Sequence, residues 1–437
     1  MRLSDPPARS YYAASIREAG GSSLPREPQQ GREPLQGEYR ADVVVVGAGI
    51  AGCSAALHLA QRGYRVALLE ARQVGYGASG RSGGQTIFGF AANQQALIGQ
   101  VGREVAHRLF DLSVAGLDLT QSLIRDHQID CDYRPNHVHV ALKGRHMREL
   151  EEWSVELQDQ YGYQSIRLLN RDELQAHVRS ARYVGGLIDT RSGHLHPLKY
   201  TLGIARAAEG AGARIFENTQ VLRYVDGGNV TVHTSKGQVI AKHVVFCGSA
   251  YLGGVAPLLA RRILGVGTYI IATQPLSEQR ARNLLPSNAA IADLNWILDY
   301  FRLSADHRLL FGGRVSYSAV EPPRLAESVR QRMLQVFPEL ADVSIDYAWG
   351  GYLDITLSRA PNFGRLAPNV FYLQGFSGHG LVLTGLGGQL VAEAVAGTAE
   401  RFDVFARIPH RDFPGGPLLR RPSLVLAMLY YRIRDLL

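Results

Sequence analysis

The order of apolar and polar positions near residue 41 predicts a strand, a helix and a second strand. Residues 43–46 are all valine, which suits a parallel strand buried on both faces. The mostly apolar stretch 50–62 predicts a helix that stops at Gly63, since glycine is the usual C-terminal cap. Residues 64–69 predict the second strand. This order is typical of an α/β nucleotide-binding unit.

The rest of the chain alternates between helical periodicity and short apolar runs. Helices are predicted over residues 96–127, 145–161, 198–212 and 322–337. The alternating stretch 129–142 predicts a pair of strands, and residues 191–197 predict a turn. Further strands are predicted over residues 213–225, 230–235, 239–247, 295–304, 308–315 and 370–373.

The turn between the first strand and helix carries a glycine fingerprint. Gly47, Gly49 and Gly52 have G-x-G-x-x-G spacing, which allows a tight turn, close approach of a pyrophosphate, and close packing of the helix. The helix N-terminus offers free N–H groups to phosphates. Glu70 follows the last glycine by about 20 residues, the spacing of an acid that binds a ribose 2′-hydroxyl. Dinucleotide binding is predicted, with NADP disfavoured by the carboxylate.

Two other glycine-rich segments extend this pattern. Residues 375–391 repeat the order of glycine turn and apolar helix some 300 residues later, so a second helix N-terminus is available. Two such helix ends suit a cofactor larger than NAD. Residues 75–85 are too rich in glycine for a stable helix or strand and are expected to approach a flat cofactor. Arg81 is the only charge there and is either a functional or a solvated loop residue.

Composition restricts the other possibilities. The chain has 437 residues and a formal charge of +8, with its basic residues dispersed, so nucleic-acid binding is not predicted. Cys53, Cys131 and Cys247 are too far apart for a zinc site or disulfide framework. No metal site is predicted, because His194 and His196 lack further ligands; they are structural or contact the substrate.

The distribution of apolar residues also indicates where in the cell the protein is expected. The first residues lack an apolar run, so no signal peptide is predicted, and no stretch reaches the ~18 apolar residues of a transmembrane helix. A cytoplasmic location is expected. Residues 424–431 are apolar and flanked by arginines, so they either pack on the protein or lie on a membrane surface. No oligomeric state is predicted.

Several long motifs resemble one family. They occupy residues 10–15, 75–85, 129–136, 193–198, 298–313, 356–366, 376–380 and 413–416. With the glycine fingerprint and Glu70, they are similar to the D-amino-acid-oxidase and glycine-oxidase class of FAD enzymes, and within it to a subgroup acting on gamma-glutamylated polyamines. The resemblance covers nearly the whole chain.

This resemblance implies an α/β fold in which a Rossmann-like FAD-binding domain is interleaved with an α+β substrate domain built on an antiparallel sheet. The FAD-binding domain is expected at residues 41–128, 194–256 and 346–400, and the substrate domain at residues 129–193 and 257–345. An N-terminal arm (1–40) and a C-terminal tail or helix (401–437) flank them.

The resemblance also implies which residues bind FAD. The first glycine turn and Glu70 are expected to hold its ADP half, loop 78–85 to line the flavin, Val221 to lie near the adenine, and residues 378–381 to bring N–H groups to the flavin. The expected contacts are Gly47, Gly49, Ile50, Ala51, Gly52, Glu70, Ala71, Arg72, Gly77, Ala78, Ser79, Gly80, Arg81, Ser82, Gly83, Gly84, Gln85, Val221, Gly248, Gly375, Gly378, His379, Gly380 and Leu381. No cysteine lies in the flavin loops, so non-covalent binding is expected.

The implied reaction removes a hydride from the carbon beside a neutral primary amine. The imine hydrolyses to an aldehyde and ammonia, and O2 is reduced to hydrogen peroxide. His379 is expected to add a charge or a hydrogen bond at the flavin, with packing as the alternative. Arg81 or His379 is expected to supply any positive field that a side chain provides for reoxidation by O2. Tyr300 is expected to shape the amine pocket and Arg302 to meet a distal glutamyl carboxylate, with ordinary sheet packing as the alternative for both.

Two departures from the family pattern qualify this. Ser82 stands where the family usually has asparagine, and residues 349–356 lack the arginine that clamps a substrate carboxylate. The second departure favours an amine without an adjacent carboxylate. Related enzymes often use a lysine near the flavin for its reoxidation by O2. None of the four lysines here lies in a flavin motif, and Lys199 is the nearest candidate. The alternatives are a dehydrogenase that passes electrons to quinone and a non-catalytic FAD-fold protein for binding or assembly.

Overall fold

The fold was analysed in a computed structural model that describes residues 10–18, 32–295, 298–316 and 324–414. The predicted segment 424–431 lies outside the described residues, as do parts of the N-terminal arm. The family motif at residues 10–15 leads into a helix that begins at Tyr11.

The helices include most of those predicted. They are α1 (Tyr11–Glu18), α2 (Ile50–Gln61), α3 (Gln94–Val101), α4 (Arg103–Asp126), α5 (Gly144–Val155), α6 (Arg171–Leu174), α7 (Pro197–Gly210), α8 (Pro257–Arg262), α9 (Glu278–Leu284), α10 (Leu325–Val336), α11 (Gly380–Val395) and α12 (Glu400–Ala406). No single helix in the described ranges is long and apolar enough to span a membrane, although α11 and α12 pass that test as a pair bent by 117°.

The strands are β1 (Gly37–Arg40), β2 (Val43–Val46), β3 (Val66–Leu69), β4 (Gln85–Thr86), β5 (Arg134–Ala141), β6 (Ile166–Leu169), β7 (Gly185–His194), β8 (Arg214–Phe216), β9 (Val221–Val225), β10 (Val230–Thr234), β11 (Gly237–Ala241), β12 (His243–Phe246), β13 (Leu264–Thr273), β14 (Ala290–Asp293), β15 (Tyr300–Leu303), β16 (Leu309–Ser316), β17 (Ile345–Ile355), β18 (Asn362–Ala367) and β19 (Val370–Gln374).

A mostly parallel sheet forms the first layer. Its described strands run in the order β18-β19-β12-β2-β3-β8, and only β18 pairs antiparallel. The four valines of β2 alternate between two cores. Val43 and Val45 pack on the side of α2, α7 and α11, whereas Val44 and Val46 pack towards a small sheet of order β1-β11-β10-β9. Burial on both faces explains why β2 is apolar at every position.

The second large sheet is mostly antiparallel and has the order β17-β13-β16-β15-β14-β5-β7-β4, with β6 paired to β7. This arrangement confirms the expected α/β fold class with an antiparallel second sheet. The boundary expected at residues 345/346 cuts through β17, which pairs with β13 over most of its length and so belongs to this sheet. The division into two interleaved domains otherwise stays a proposal.

Three local predictions were wrong. The expected strand pair at 129–142 is the single strand β5, because residues 129–133 turn towards α7, where Lys199 binds Asp132 at 3.0 Å. The expected turn at 191–197 is largely the end of β7. The predicted strands 213–225 and 239–247 each divide into two strands that belong to different sheets.

Helices α2 and α11 cross in unusually close contact. A Cβ added to Gly388 would lie 2.5 Å from the Ala55 nitrogen and 2.7 Å from the Ala51 oxygen. The first turns of both helices border the cavity described below. The close approach at Gly388 therefore sets how these two N-termini are placed relative to each other.

Gly388→Ala should destabilise the protein by about 1–3 kcal/mol, because the methyl group overpacks this crossing. Gly385→Ala is the matched control on α11, since its Cβ would meet no atom closer than 3.9 Å and alanine favours helix. Thermal unfolding of the FAD-loaded protein should show a lower midpoint for Gly388→Ala only. Equal midpoints for the two variants would contradict the packing argument.

Candidate functional site

A cavity of about 1260 Å³ lies between the carboxyl ends of β2, β3 and β12 and the face of the antiparallel sheet. It exceeds the roughly 300–1,000 Å³ typical of small-molecule pockets. Ligands of open parallel sheets bind at the carboxyl ends of the strands. The cavity therefore has the position and the size for a large cofactor together with a substrate.

The first glycine turn is shaped by contacts that exclude side chains. Gly47 has φ +103°, and its Cβ would lie 3.0 Å from the backbone of Cys247. A Cβ on Gly52 would lie 1.8 Å from the Gly47 oxygen. Gly49 and Ile50 line the cavity at the start of α2. The N-terminus of α2 thus borders the cavity, as the fingerprint predicts, although the Ile50 nitrogen donates a hydrogen bond to Ser79 Oγ at 3.0 Å.

Glu70 closes this turn from the end of β3. Its Oε2 accepts a hydrogen bond from the Ala48 nitrogen at 2.8 Å, and its Oε1 accepts one from the Arg72 nitrogen at 2.9 Å. Burial raises the pKa of this carboxyl, while the two N–H groups oppose the shift. Glu70 also lines the cavity, where the acid of the fingerprint meets a ribose. Contact with the ribose stays a prediction.

The second glycine turn is fixed by a buried acid. Asp354 at the end of β17 accepts hydrogen bonds from the nitrogens of Gly375 at 2.5 Å and Phe376 at 3.2 Å. Burial raises the pKa of its carboxyl to about 6. Ser377 and Gly378 then adopt φ of +54° and +90° before α11 begins. The Asp354 carboxylate therefore orients the α11 N-terminus towards the cavity.

His379 is the N-cap of α11 and lines the cavity. Its Nε2 donates a hydrogen bond to the Phe88 oxygen at 2.8 Å, since a carbonyl only accepts. Burial lowers the pKa of His379. The ring is therefore neutral near pH 7, which argues against the expected charge. Its hydrogen bond to Phe88 is a structural contact, and a hydrogen bond to the flavin stays a prediction.

Loop 75–85 is held by side chains from distant segments. Trp349 Nε1 donates to the Arg81 oxygen at 3.0 Å, Tyr12 Oη to the Ser82 oxygen at 2.9 Å, and Arg302 Nε to the Gly83 oxygen at 2.7 Å. The Gly84 oxygen accepts from the Leu195 nitrogen at 2.8 Å. Four consecutive carbonyls are thus bound to the protein, which fixes the loop before any ligand arrives.

The two arginines expected to be catalytic do not line the cavity. Arg81 donates to the oxygens of Tyr76 and Gly350, at 2.9 Å and 3.1 Å. Arg302 is 4% exposed and binds Gly83, Leu303 and Tyr12. The arrangement favours the alternative of packing for Arg302, because its guanidinium is committed to the loop and to α1. Tyr300 does line the cavity.

Most expected cofactor contacts meet at the cavity. Those on its wall are Gly47, Gly49, Ile50, Ala51, Glu70, Ala71, Arg72, Gly77, Ala78, Ser79, Ser82, Gly83, Gly84, Gln85, Val221, Gly248, Gly378, His379, Gly380 and Leu381. Those behind the wall are Gly52, Gly80, Arg81 and Gly375. Gly52, Gly80 and Gly375 act through backbone packing, since a Cβ on any of them would lie within 2.5 Å of another atom.

Sequence reasoning missed the polar residues that the antiparallel sheet contributes. His137 and His139 on β5 line the cavity, as does Asp293 at the end of β14. The alternation His-Val-His-Val over residues 137–140 was a usable signal, because it places both histidines on one face of a strand. No pattern in the sequence marks Asp293, because it is the last residue of β14 and the turn that follows sets the position of its carboxyl. Burial, with Asp299 nearby, raises its pKa to about 7.

The other two candidate histidines, His194 and His196, make structural contacts with the backbone. His194 Nε2 donates to the Asn288 oxygen at 2.8 Å, and His196 caps α7 by accepting from the Lys199 nitrogen at 3.1 Å. Neither lines the cavity. Among the described residues, no group of three or more His, Cys, Asp or Glu is placed to hold a metal ion.

These features fit FAD. Two helix N-termini, an acid at the end of β3 and a rigid glycine loop converge on one cavity. A model of the DAO family, described as FAD dependent oxidoreductase, matches residues 42–394. The chain belongs to this family of FAD-dependent oxidoreductases.

The chain is also similar to individual known proteins. The chain is 42% identical to gamma-glutamylputrescine oxidoreductase of Escherichia coli K12, over 98% of both chains. Its structure is similar to glycine oxidase from Geobacillus kaustophilus, with a TM-score of 0.69, 21% identity, and coverage of 82% of this chain and 95% of that one. It is also similar to L-amino acid deaminase from Proteus vulgaris, with a TM-score of 0.71 and 18% identity. That match covers 85% of this chain and 99% of the other. These two likenesses show the fold alone.

Tyr12→Phe should raise the dissociation constant for FAD about tenfold, because it leaves the Ser82 carbonyl and an Arg302 nitrogen without a partner in the interior. Tyr11→Phe is the matched control, since the Tyr11 hydroxyl on the same helix donates to Asp306 instead of the loop. Flavin fluorescence released on dilution measures the constant. An equal loss of affinity in both variants would show that α1 acts only through general stability.

Proposed function

We propose that this protein oxidises the primary amine of a gamma-glutamylated polyamine, such as gamma-glutamylputrescine, to an aldehyde, with release of ammonia and hydrogen peroxide. The name of the relative that is 42% identical over 98% of both chains supports the substrate class. The arrangement of the cavity, with its two helix ends and its antiparallel sheet, supports an amine oxidation that depends on FAD.

One observation about charge carries the proposal. Among the described side chains, those of the antiparallel sheet that line the cavity include no lysine or arginine. The lining arginines, Arg72 and Arg359, lie in connections outside the sheet. A carboxylate beside the reacting amine would have no positive partner on this wall, and burying an unpaired charge is strongly unfavourable. The cavity therefore favours an amine whose neighbouring carbons carry no carboxylate.

The protein would hold FAD by backbone groups at both helix N-termini, by Glu70 and by loop 75–85. FAD held there would supply the hydride acceptor and the link to O2. The α11 N-terminus offers preorganised N–H groups to negative charge on the cofactor. Cys247 is the one described cysteine on the cavity wall, and it lies beside Gly47 at the first glycine turn. Binding is therefore proposed to be non-covalent.

The test is a panel of free and gamma-glutamylated amines added under nitrogen to the purified, FAD-loaded protein. Gamma-glutamylputrescine should bleach the flavin absorbance, and admission of air should restore it with formation of hydrogen peroxide. Bleaching by glycine or another α-amino acid alone would contradict the substrate class. Bleaching without peroxide, followed by recovery with a quinone, would identify a dehydrogenase.

Lys199→Met should leave the rate of flavin reoxidation by O2 within about twofold of wild type. Lys199 is paired to Asp132 at 3.0 Å and is absent from the cavity wall, so its ammonium is not placed to act on O2 at the flavin. Stopped-flow mixing of the reduced enzyme with O2 measures the rate. A large fall would show that this ammonium acts on O2 from outside the wall.

A further inference from the structure

A row of residues crosses the cavity face of the antiparallel sheet beside the glycine loop. His139 on β5 is in register with Ala292 on β14, Ala292 with Tyr300 on β15, and Tyr300 with Gly312 on β16. Residues in register share one face of a sheet. His139, Ala292 and Tyr300 all line the cavity. A small side chain therefore lies between two large ones.

The Tyr300 ring turns away from Ala292. A Cβ added to Gly312 would lie 2.2 Å from the Tyr300 Cζ, so the ring covers Gly312. The ring also meets the loop, since a Cβ on Gly83 would lie 2.7 Å from the Tyr300 Cε2. The Cα atoms of His139 and Tyr300 are two strand spacings apart, about 10 Å. Ala292 thus faces the cavity between the two rings, and the Gln85 side chain, whose Nε2 donates to the Ile291 oxygen at 3.2 Å, borders the space above it.

His139 borders this space with ring nitrogens that bind no other described residue. No described residue forms a hydrogen bond with its ring nitrogens, and its ring contacts are His137 at 4.5 Å and Trp153 at 5.1 Å between centroids. Burial lowers the pKa of His139 to about 4. A neutral imidazole has one nitrogen that accepts a hydrogen bond. A ligand in the space above Ala292 is placed to satisfy it.

We propose that the space above Ala292 is a slot for the terminal aminomethyl group of an unbranched amine, and that a ring nitrogen of His139 accepts a hydrogen bond from the amino group. This inference rests on the proposed function and names the residues that select its substrate. An acceptor leaves the lone pair of the nitrogen free, which formation of a C=N bond requires. Ala292 sets the width of the slot, and His139 distinguishes an amino group from a methyl group.

The experiment compares two ligands that differ only at the chain end. They are the gamma-glutamyl amide of butane-1,4-diamine and the gamma-glutamyl amide of pentan-1-amine, in which a methyl group replaces the amino group. The affinity of the first follows from the concentration dependence of anaerobic flavin bleaching. The affinity of the second follows from its perturbation of the flavin spectrum, since it lacks the amine to be oxidised.

His139→Leu should weaken the diamine amide about tenfold, the size of one buried hydrogen bond, and leave the pentyl amide unchanged or tighter. His139→Gln keeps an acceptor and should restore part of the loss. Ala292→Leu should weaken both ligands, because its side chain fills the slot. His194→Gln is the control, since His194 lies one strand away, binds Asn288 and is absent from the cavity wall.

The flavin spectrum and the thermal midpoint of each variant show that it is folded and loaded. Wild-type affinity for both ligands in His139→Leu, or equal weakening of both, would overturn the role of His139. Unimpeded bleaching in Ala292→Leu would place the slot elsewhere. Failure of the diamine amide to bleach even the wild-type flavin is a different result, because it contradicts the proposed function and with it this slot.

Discussion

The structure depends on the close crossing of α2 and α11. Each helix follows a glycine turn, and neither turn tolerates a side chain at its tightest glycine, Gly52 or Gly375. The contact of Gly388 with the backbone of α2 fixes the distance between the helices. Because a helix N-terminus carries a partial positive charge and unpaired N–H groups, two of them held on one cavity form a preorganised site for an electron-rich cofactor.

The site also draws on segments outside this crossing. Loop 75–85 has too much glycine to hold its own shape, and its carbonyls are bound by Tyr12, Trp349 and Arg302 from three separate elements. Tyr12 belongs to α1, which precedes the family match at residues 42–394. The N-terminal helix therefore supports the loop that lines the cavity. The long motifs at residues 10–15 and 298–313 contribute Tyr12 and Arg302 to these contacts.

The sequence was informative where local chemistry determines the structure. The fingerprint, Glu70 and the second glycine turn could be predicted because strand, turn and helix are adjacent in the chain. Arg81 and Arg302 were expected at the substrate, yet their guanidinium groups bind carbonyls of Tyr76, Gly350 and Gly83, partners fixed only by the tertiary fold. The strands that divide between sheets were missed for the same reason, since propensity does not record which sheet a residue joins.

The distribution of charge connects the fold to its chemistry. Burial holds the histidines on the wall neutral, and the arginines nearest the loop are used to bind carbonyls. Neutral histidines cannot compensate a buried carboxylate, whereas a neutral imidazole can accept a hydrogen bond from an uncharged amine. An uncharged amine is also the form whose lone pair can become part of a C=N bond. The burial that keeps these histidines neutral therefore makes the wall better suited to an uncharged amine than to a carboxylate, with Asp293 as the ionisable group on the same wall.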